Sequence, residues 1–139
     1  MSRQFATFTV DGARYGIDVL RVQEALKTQA RTGVPLAPAG IAGLVNLRGQ
    51  VVMLLDLRTR LGLEPLAFDA EPMMIVVEVD GESISLLVDE IGDVIDVEDD
   101  QFETPPDTLP ASLRDIILGA YKLEQGLLLA LDVDRATAA

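Results

Sequence analysis

Cysteine, histidine and tryptophan are all absent from this 139-residue chain. Their absence removes the thiol nucleophile, the imidazole base, the disulfide and any Cys/His metal site. Catalysis would have to run on carboxylates alone. Aromatic residues are also few, four Phe and two Tyr, so a core must be built mainly from aliphatic side chains. No apolar run approaches the ~20 residues that a membrane-spanning helix needs, which argues against direct membrane insertion. The opening MSRQ is polar and Phe5 already starts an alternating pattern, so no secretory signal is expected and the expected location is the cytoplasm.

Basic residues are scarce in one half only. Residues 1–63 hold eight basic and four acidic side chains, a net of +4, whereas residues 64–139 hold three basic and nineteen acidic, a net of −16. A duplex-binding protein needs a basic face, and an anionic membrane surface needs the same, so both are poor partners. The imbalance fits either plain solubility or a head-to-tail meeting of two related proteins.

What the chain does have is aliphatic surface: 49% of residues are apolar, enough for a core in one compact domain or two very small ones. A domain of this length buries ~68% of the surface of its unfolded chain. Apolar runs of four to eight residues occur at 5–10, 15–19, 51–55, 73–79, 84–88 and 127–131, separated by Gly, Asp and Pro. Short runs with frequent turn residues point to an all-β barrel or sandwich, and closing a small barrel removes exposed edges. Short helices are expected after Asp56, at 110–115 and from Asp134, while residues 20–27 fit either a helix or a bent strand.

The runs repeat. Val10-Asp11-Gly12 returns as Val79-Asp80-Gly81, an offset of 69 that also aligns Tyr15 with Ile84, Ile17 with Leu86 and Val22 with Ile91. Residues 43–56 match 119–132 without a gap at an offset of 76, aligning Gly43 with Gly119 and Asp56 with Asp132. Two matched blocks in one order imply a duplicated unit of about five short strands.

Residues 43–61, GLVNLRGQVVMLLDLRTRL, carry the strongest motif. Two apolar strands flank a polar turn holding Asn46, Arg48 and Gly49, with Gly49 free to take positive φ. Arg48 is either a turn arginine facing water or a planar, permanently charged donor suited to a carboxylate or a partner backbone.

NLRG followed by an apolar strand and DLR resembles the CheW family, the adaptor proteins of bacterial chemotaxis arrays. The resemblance continues in YGIDVLRVQEAL at 15–26, ISLLVDEIGDVIDV at 84–97 and LLLALDVDR at 127–135, and so runs through nearly the whole chain. It implies a pair of pseudo-symmetric SH3-like five-stranded barrels, intertwined within one domain over residues 1–139, the second centred on about 70–125. It also implies a non-enzymatic adaptor without cofactor, whose partners are a chemoreceptor's cytoplasmic tip and the regulatory domain of a CheA-type histidine kinase. A chemosensory pathway for pilus motility, a small-ligand sensor and a carboxylate hydrolase are the alternatives.

The resemblance assigns a receptor groove to Val19, Val22, Glu24, Gly43, Asn46, Arg48, Gly49 and Ser85, with Glu24 paired to Arg48. Each has a plainer reading: the valines as core, the glycines as turn residues, the ion pair as a clamp on the turn. The proline-rich stretch FETPPDTLPASL at 102–113 would face the kinase, with Thr108 and Leu109 as contacts. The acidic run at 96–100 is not a calcium loop, because Gln101 stands at the sixth position and no Glu at the twelfth. Against the family pattern, Met53 replaces a usual proline, Ser85 a frequent glycine, and the C-terminal helix is short.

Overall fold

The computed structural model describes residues 2–27, 31–32, 41–64, 72–105, 107–124 and 126–137. Among them lie β1 (Ser2–Val10), β2 (Ala13–Asp18), β3 (Val22–Lys27), β4 (Arg31–Thr32), β5 (Ile41–Leu47) and β6 (Gln50–Asp56). The second series is β7 (Met73–Val79), β8 (Glu82–Val88), β9 (Glu90–Glu98), β10 (Phe102–Glu103), β11 (Ile117–Leu123) and β12 (Gly126–Leu131). The helices are single turns: α1 (Leu57–Arg60), α2 (Ala111–Arg114) and α3 (Val133–Thr137). The ambiguous stretch resolves into a 3-10 turn over Val19–Arg21, then β3, because the Asp18 carboxylate accepts the Leu20 N–H at 3.0 Å and ends β2.

Two sheets form, ordered β10-β11-β12-β2-β1-β9 and β4-β5-β6-β8-β7-β3. Each has five full strands and one two-residue strand, and read side by side every strand faces its counterpart from the other repeat. The register obeys the same offsets. Tyr15 and Gly16 of β2 lie parallel to Leu129 and Ala130 of β12, as Ile84 and Ser85 of β8 lie parallel to Met53 and Leu54 of β6.

Each hairpin therefore sits in the sheet of the other repeat. Residues 2–18 join 90–131, and residues 73–88 join 22–56. The link lengths explain the exchange. Only Asp89 joins β8 to β9. For β9 to lie antiparallel beside β7 in the sheet of β8, the chain would have to pass β7 and run back a strand length, about 20 Å. One linking residue reaches only about 7 Å.

Three hairpin turns share one chemistry. Asp11-Gly12, Arg48-Gly49 and Asp80-Gly81 all have positive φ, at 53° and 80°, 53° and 84°, and 51° and 81°. Two successive left-handed residues make the turn whose twist matches paired strands. Asn46 Oδ1 accepts the Gly49 N–H at 2.9 Å and fixes the second of these turns.

The core has three parts. The largest lies between the sheets, where Phe8, Val10, Tyr15 and Ile17 meet Leu55, Ile75, Val77, Leu86 and Val88. Inside the first barrel Phe5, Tyr121 and Leu128 pack together. A Cβ on Gly16 would come within 3.2 Å of Leu128 and 3.3 Å of Phe5, so glycine makes room for that packing. The second barrel is filled by Val45, Val52, Leu54, Met74 and Leu87. Ser85, the counterpart of Gly16, is wholly buried and its hydroxyl has no hydrogen-bond partner among the described residues. An unsatisfied buried hydroxyl costs about 1 kcal/mol or more. Ser85→Ala is accordingly expected to stabilise the protein by about 1 kcal/mol, read as a higher urea midpoint at unchanged slope.

Candidate docking site

Glu24 and Arg48 come together through the sheet rather than through sequence. β3 is one edge of its sheet, and β5 lies beside the opposite edge. The β5–β6 turn curls back to reach β3, and Arg48 donates to both Glu24 carboxylate oxygens, at 2.5 Å from Nη1 and 3.0 Å from Nη2. The fork closes the sheet on itself at the hairpin tip. Its two members differ in exposure: the Arg48 side chain is 79% exposed and that of Glu24 only 26%. A register shift between Val22 and Glu24 on β3 turns the glutamate toward the tip.

The other groove candidates divide. Asn46 and Gly49 are exposed in the same turn, and Gly43 is buried beside a bulge at φ 150°. Val19 is half-buried on the 3-10 turn, while Val22 is half-buried against the inter-sheet core. Ser85 is wholly buried, so a place for it at the groove would be to shape the surface from within.

Beside Arg48 lies an apolar strip the sequence reading missed. Leu44 pairs with Met53 and Asn46 with Val51, which puts all four on one face outside the barrel, with Met53 packed against the inter-sheet core. Leu44 and Val51 are exposed and Met53 is half-buried. Both strands read as solid apolar runs, so only strict alternation of faces could have separated the exposed members. Leu20, at 89% exposed the most open large apolar residue described, was also missed.

In the proline-rich stretch Thr108 is exposed and Leu109 half-buried, while Pro106 lies outside the described residues. Leu109 lines a hollow of about 420 Å³ with Ala13, Arg14, Leu127 and Leu129. At 96–100 the chain enters a 3-10 turn over Asp99–Gln101, where the Gln101 side chain accepts the Glu98 N–H at 2.8 Å. No group of three or more potential metal-binding side chains clusters among the described residues.

Two further ion pairs, neither anticipated, join the sheets at their crossovers. Arg58 of α1 grips Asp89 at 2.9 and 2.7 Å, and Asp89 also accepts the Asp11 N–H. The hydrogen bond from Arg58 holds the Asp89 carboxyl below its ordinary range, against the opposing effect of burial. Arg21 pairs with Asp134 of α3 at 2.7 Å. Asp56 caps α1 through the Arg58 N–H, and its counterpart Asp132 does the same for α3 through Arg135. Burial raises the Asp56 pKa despite hydrogen bonds from two backbone N–H groups.

The family model of the CheW-like domain matches residues 4–139, nearly the whole chain. The chain belongs to the CheW family. It is 33% identical to the chemotaxis protein CheW of Bacillus subtilis over 127 residues, covering 91% of this chain and 81% of that one. It is 27% identical to the chemotaxis protein CheW of Klebsiella aerogenes over 135 residues, covering 97% and 81%. The crystal structure of a CheW scaffolding protein from Thermoanaerobacter tengcongensis superposes with a TM-score of 0.87 at 26% identity, covering 100% of this chain and 94% of that one. CheW-like membership makes this chain a chemotaxis adaptor and accounts for its paired β-barrels. None of its described helices is long and apolar enough to cross a membrane.

Proposed function

We propose that this CheW-like chain couples chemoreceptors to a CheA-type histidine kinase as a non-enzymatic adaptor in the cytoplasm. The two intertwined barrels act as one domain. The observation that carries the reading is the exposed Arg48 guanidinium, locked by Glu24 at a rigid hairpin tip beside the outward Leu44 and Val51. A helical receptor tip needs apolar anchors and a fixed polar register on the surface that receives it. Val19, Val22, Glu24, Gly43, Asn46, Arg48 and Gly49 form or support that surface, with Ser85 shaping it from within. Thr108 and Leu109 serve the kinase side. Holding both partners on one rigid body lets receptor state bias the kinase, typically by ~1–3 kcal/mol of coupling.

The test is autophosphorylation of the cognate kinase mixed with receptor fragments, with and without this protein. Receptor-dependent control is expected only when it is added. Absence of any effect, together with no binding to either partner, would overturn the reading.

A further inference from the structure

The two crossover ion pairs are counterparts with their charges exchanged. Arg58 and Asp134 occupy the same place, on the helix after β6 and after β12, at the repeat's own offset of 76. Arg58 meets Asp89 at the β8–β9 link, and Asp134 meets Arg21 at the β2–β3 link. Both link residues bond matching hairpin carbonyls: the Asp89 N–H donates to Thr9 O at 3.0 Å, and Arg21 Nη2 to Glu78 O at 3.1 Å. Thr9 and Glu78 are 69 apart, again the repeat offset. The contact is thus built twice between matching elements, once as helix cation on link anion and once as helix anion on link cation. The link residues stand one position out of register, since Asp89 aligns with Leu20 and Arg21 with Glu90.

A duplicated unit that must lend out its hairpin has two ways to assemble. Each hairpin can dock on the other repeat, as seen here. Alternatively, the first repeat of one copy can exchange hairpins with the first repeat of a second copy, around a true two-fold axis. Exchange of this kind is the characteristic failure of repeated domains. In that like-with-like dimer Arg58 would face Arg21 near Asp11, and Asp134 would face Asp89 with Asp80 beside it. Both contacts are repulsive.

We infer that the charge exchange between the Arg58–Asp89 and Arg21–Asp134 pairs selects docking of unlike repeats and rejects exchange with the same repeat of a second copy. The barrel interiors act in the same sense, since Gly16 leaves room for Leu128 of the other repeat, and Ser85 would stand there in a like-with-like dimer.

Inverting one pair separates selection from mere support. Arg21→Glu with Asp134→Arg keeps opposite charges in contact in the native arrangement, yet turns both like-with-like contacts attractive. The full chain is refolded from denaturant at high protein concentration, and monomer and dimer are counted by size exclusion with light scattering. The inverted variant is expected to give roughly ten times the dimer fraction of wild type, the excess shrinking in 1 M salt. Adding Arg58→Glu and Asp89→Arg restores repulsion and is expected to return the dimer fraction to the wild-type level. An inverted variant that refolds with the wild-type distribution overturns the proposal. If it does not fold, Arg58→Glu with Asp89→Arg makes the same comparison. Failure of both variants to fold would show the pairs to be supports rather than selectors, and would also overturn it.

Discussion

Arg48→Glu is expected to abolish receptor-dependent control of the kinase while leaving the fold intact. The two halves of this expectation rest on different quantities. The Arg48 side chain is 79% exposed, and an ion pair of this kind contributes at most ~1 kcal/mol, so its loss is affordable. Two carboxylates at the tip would also repel across a distance now bridged by a forked hydrogen bond, so the variant hairpin should lean away from β3. A receptor surface matched to a guanidinium would then meet the opposite charge in a displaced position. The crossed double variant, Glu24→Arg with Arg48→Glu, rebuilds the pair with its ends exchanged. If only the shape of the tip matters, coupling returns; if the guanidinium itself is read, coupling stays lost. Circular dichroism and urea unfolding report the fold, and receptor-stimulated autophosphorylation reports coupling. A single variant that unfolds, or that couples normally, contradicts the expectation.

Asp89→Ala is expected to cost about 3 kcal/mol of stability, the largest effect of any single surface-proximal change described here. The Arg58 side chain is only 16% exposed and that of Asp89 20%. Removing the carboxylate leaves a nearly buried cation with, among the described residues, only Asp11 at 3.8 Å and the Glu64 carbonyl at 3.2 Å as partners. The Asp11 N–H loses its acceptor in the same step. A pH signature follows. Because Asp89 titrates lower in the folded state, its contribution is present in full above the ordinary aspartate value near 4. It is lost as pH falls from there through the depressed folded value. Wild type should therefore lose stability below about pH 4 more steeply than Asp89→Ala, measured as urea midpoints between pH 2 and 7. Parallel pH profiles would show that Asp89 is not the group responsible.

Much of this architecture was legible in the chain. The VDG repeat marked two hairpins whose turns share backbone angles within a few degrees, because Asp and Gly tolerate the left-handed region that this turn demands. The 76-residue offset aligned Gly43 with Gly119 and Asp56 with Asp132, and the structure places the first two beside matching bulges and the second two at matching helix caps. The Glu24–Arg48 pair came from family resemblance, since a separation of 24 residues gives no local reason for it. The full burial of Ser85 was hidden because alternation along β8 says that it faces opposite Ile84 and Leu86, but not that both faces are buried. The exposed Leu44 and Val51 were hidden for the converse reason, lying in apolar runs that look buried throughout.

By itself, then, the sequence determined the strands, their turns, the duplication and the groups available for recognition, because these depend on local conformation and on residues a few positions apart. Only the tertiary structure decided which repeat receives each hairpin, which apolar faces remain open, and that Arg58 and Arg21 bridge the crossovers. Those outcomes depend on whether a one-residue link can span a strand, and on charges more than 30 residues apart meeting across two sheets. A repeat read along the chain looks the same whether its hairpin stays home or is exchanged.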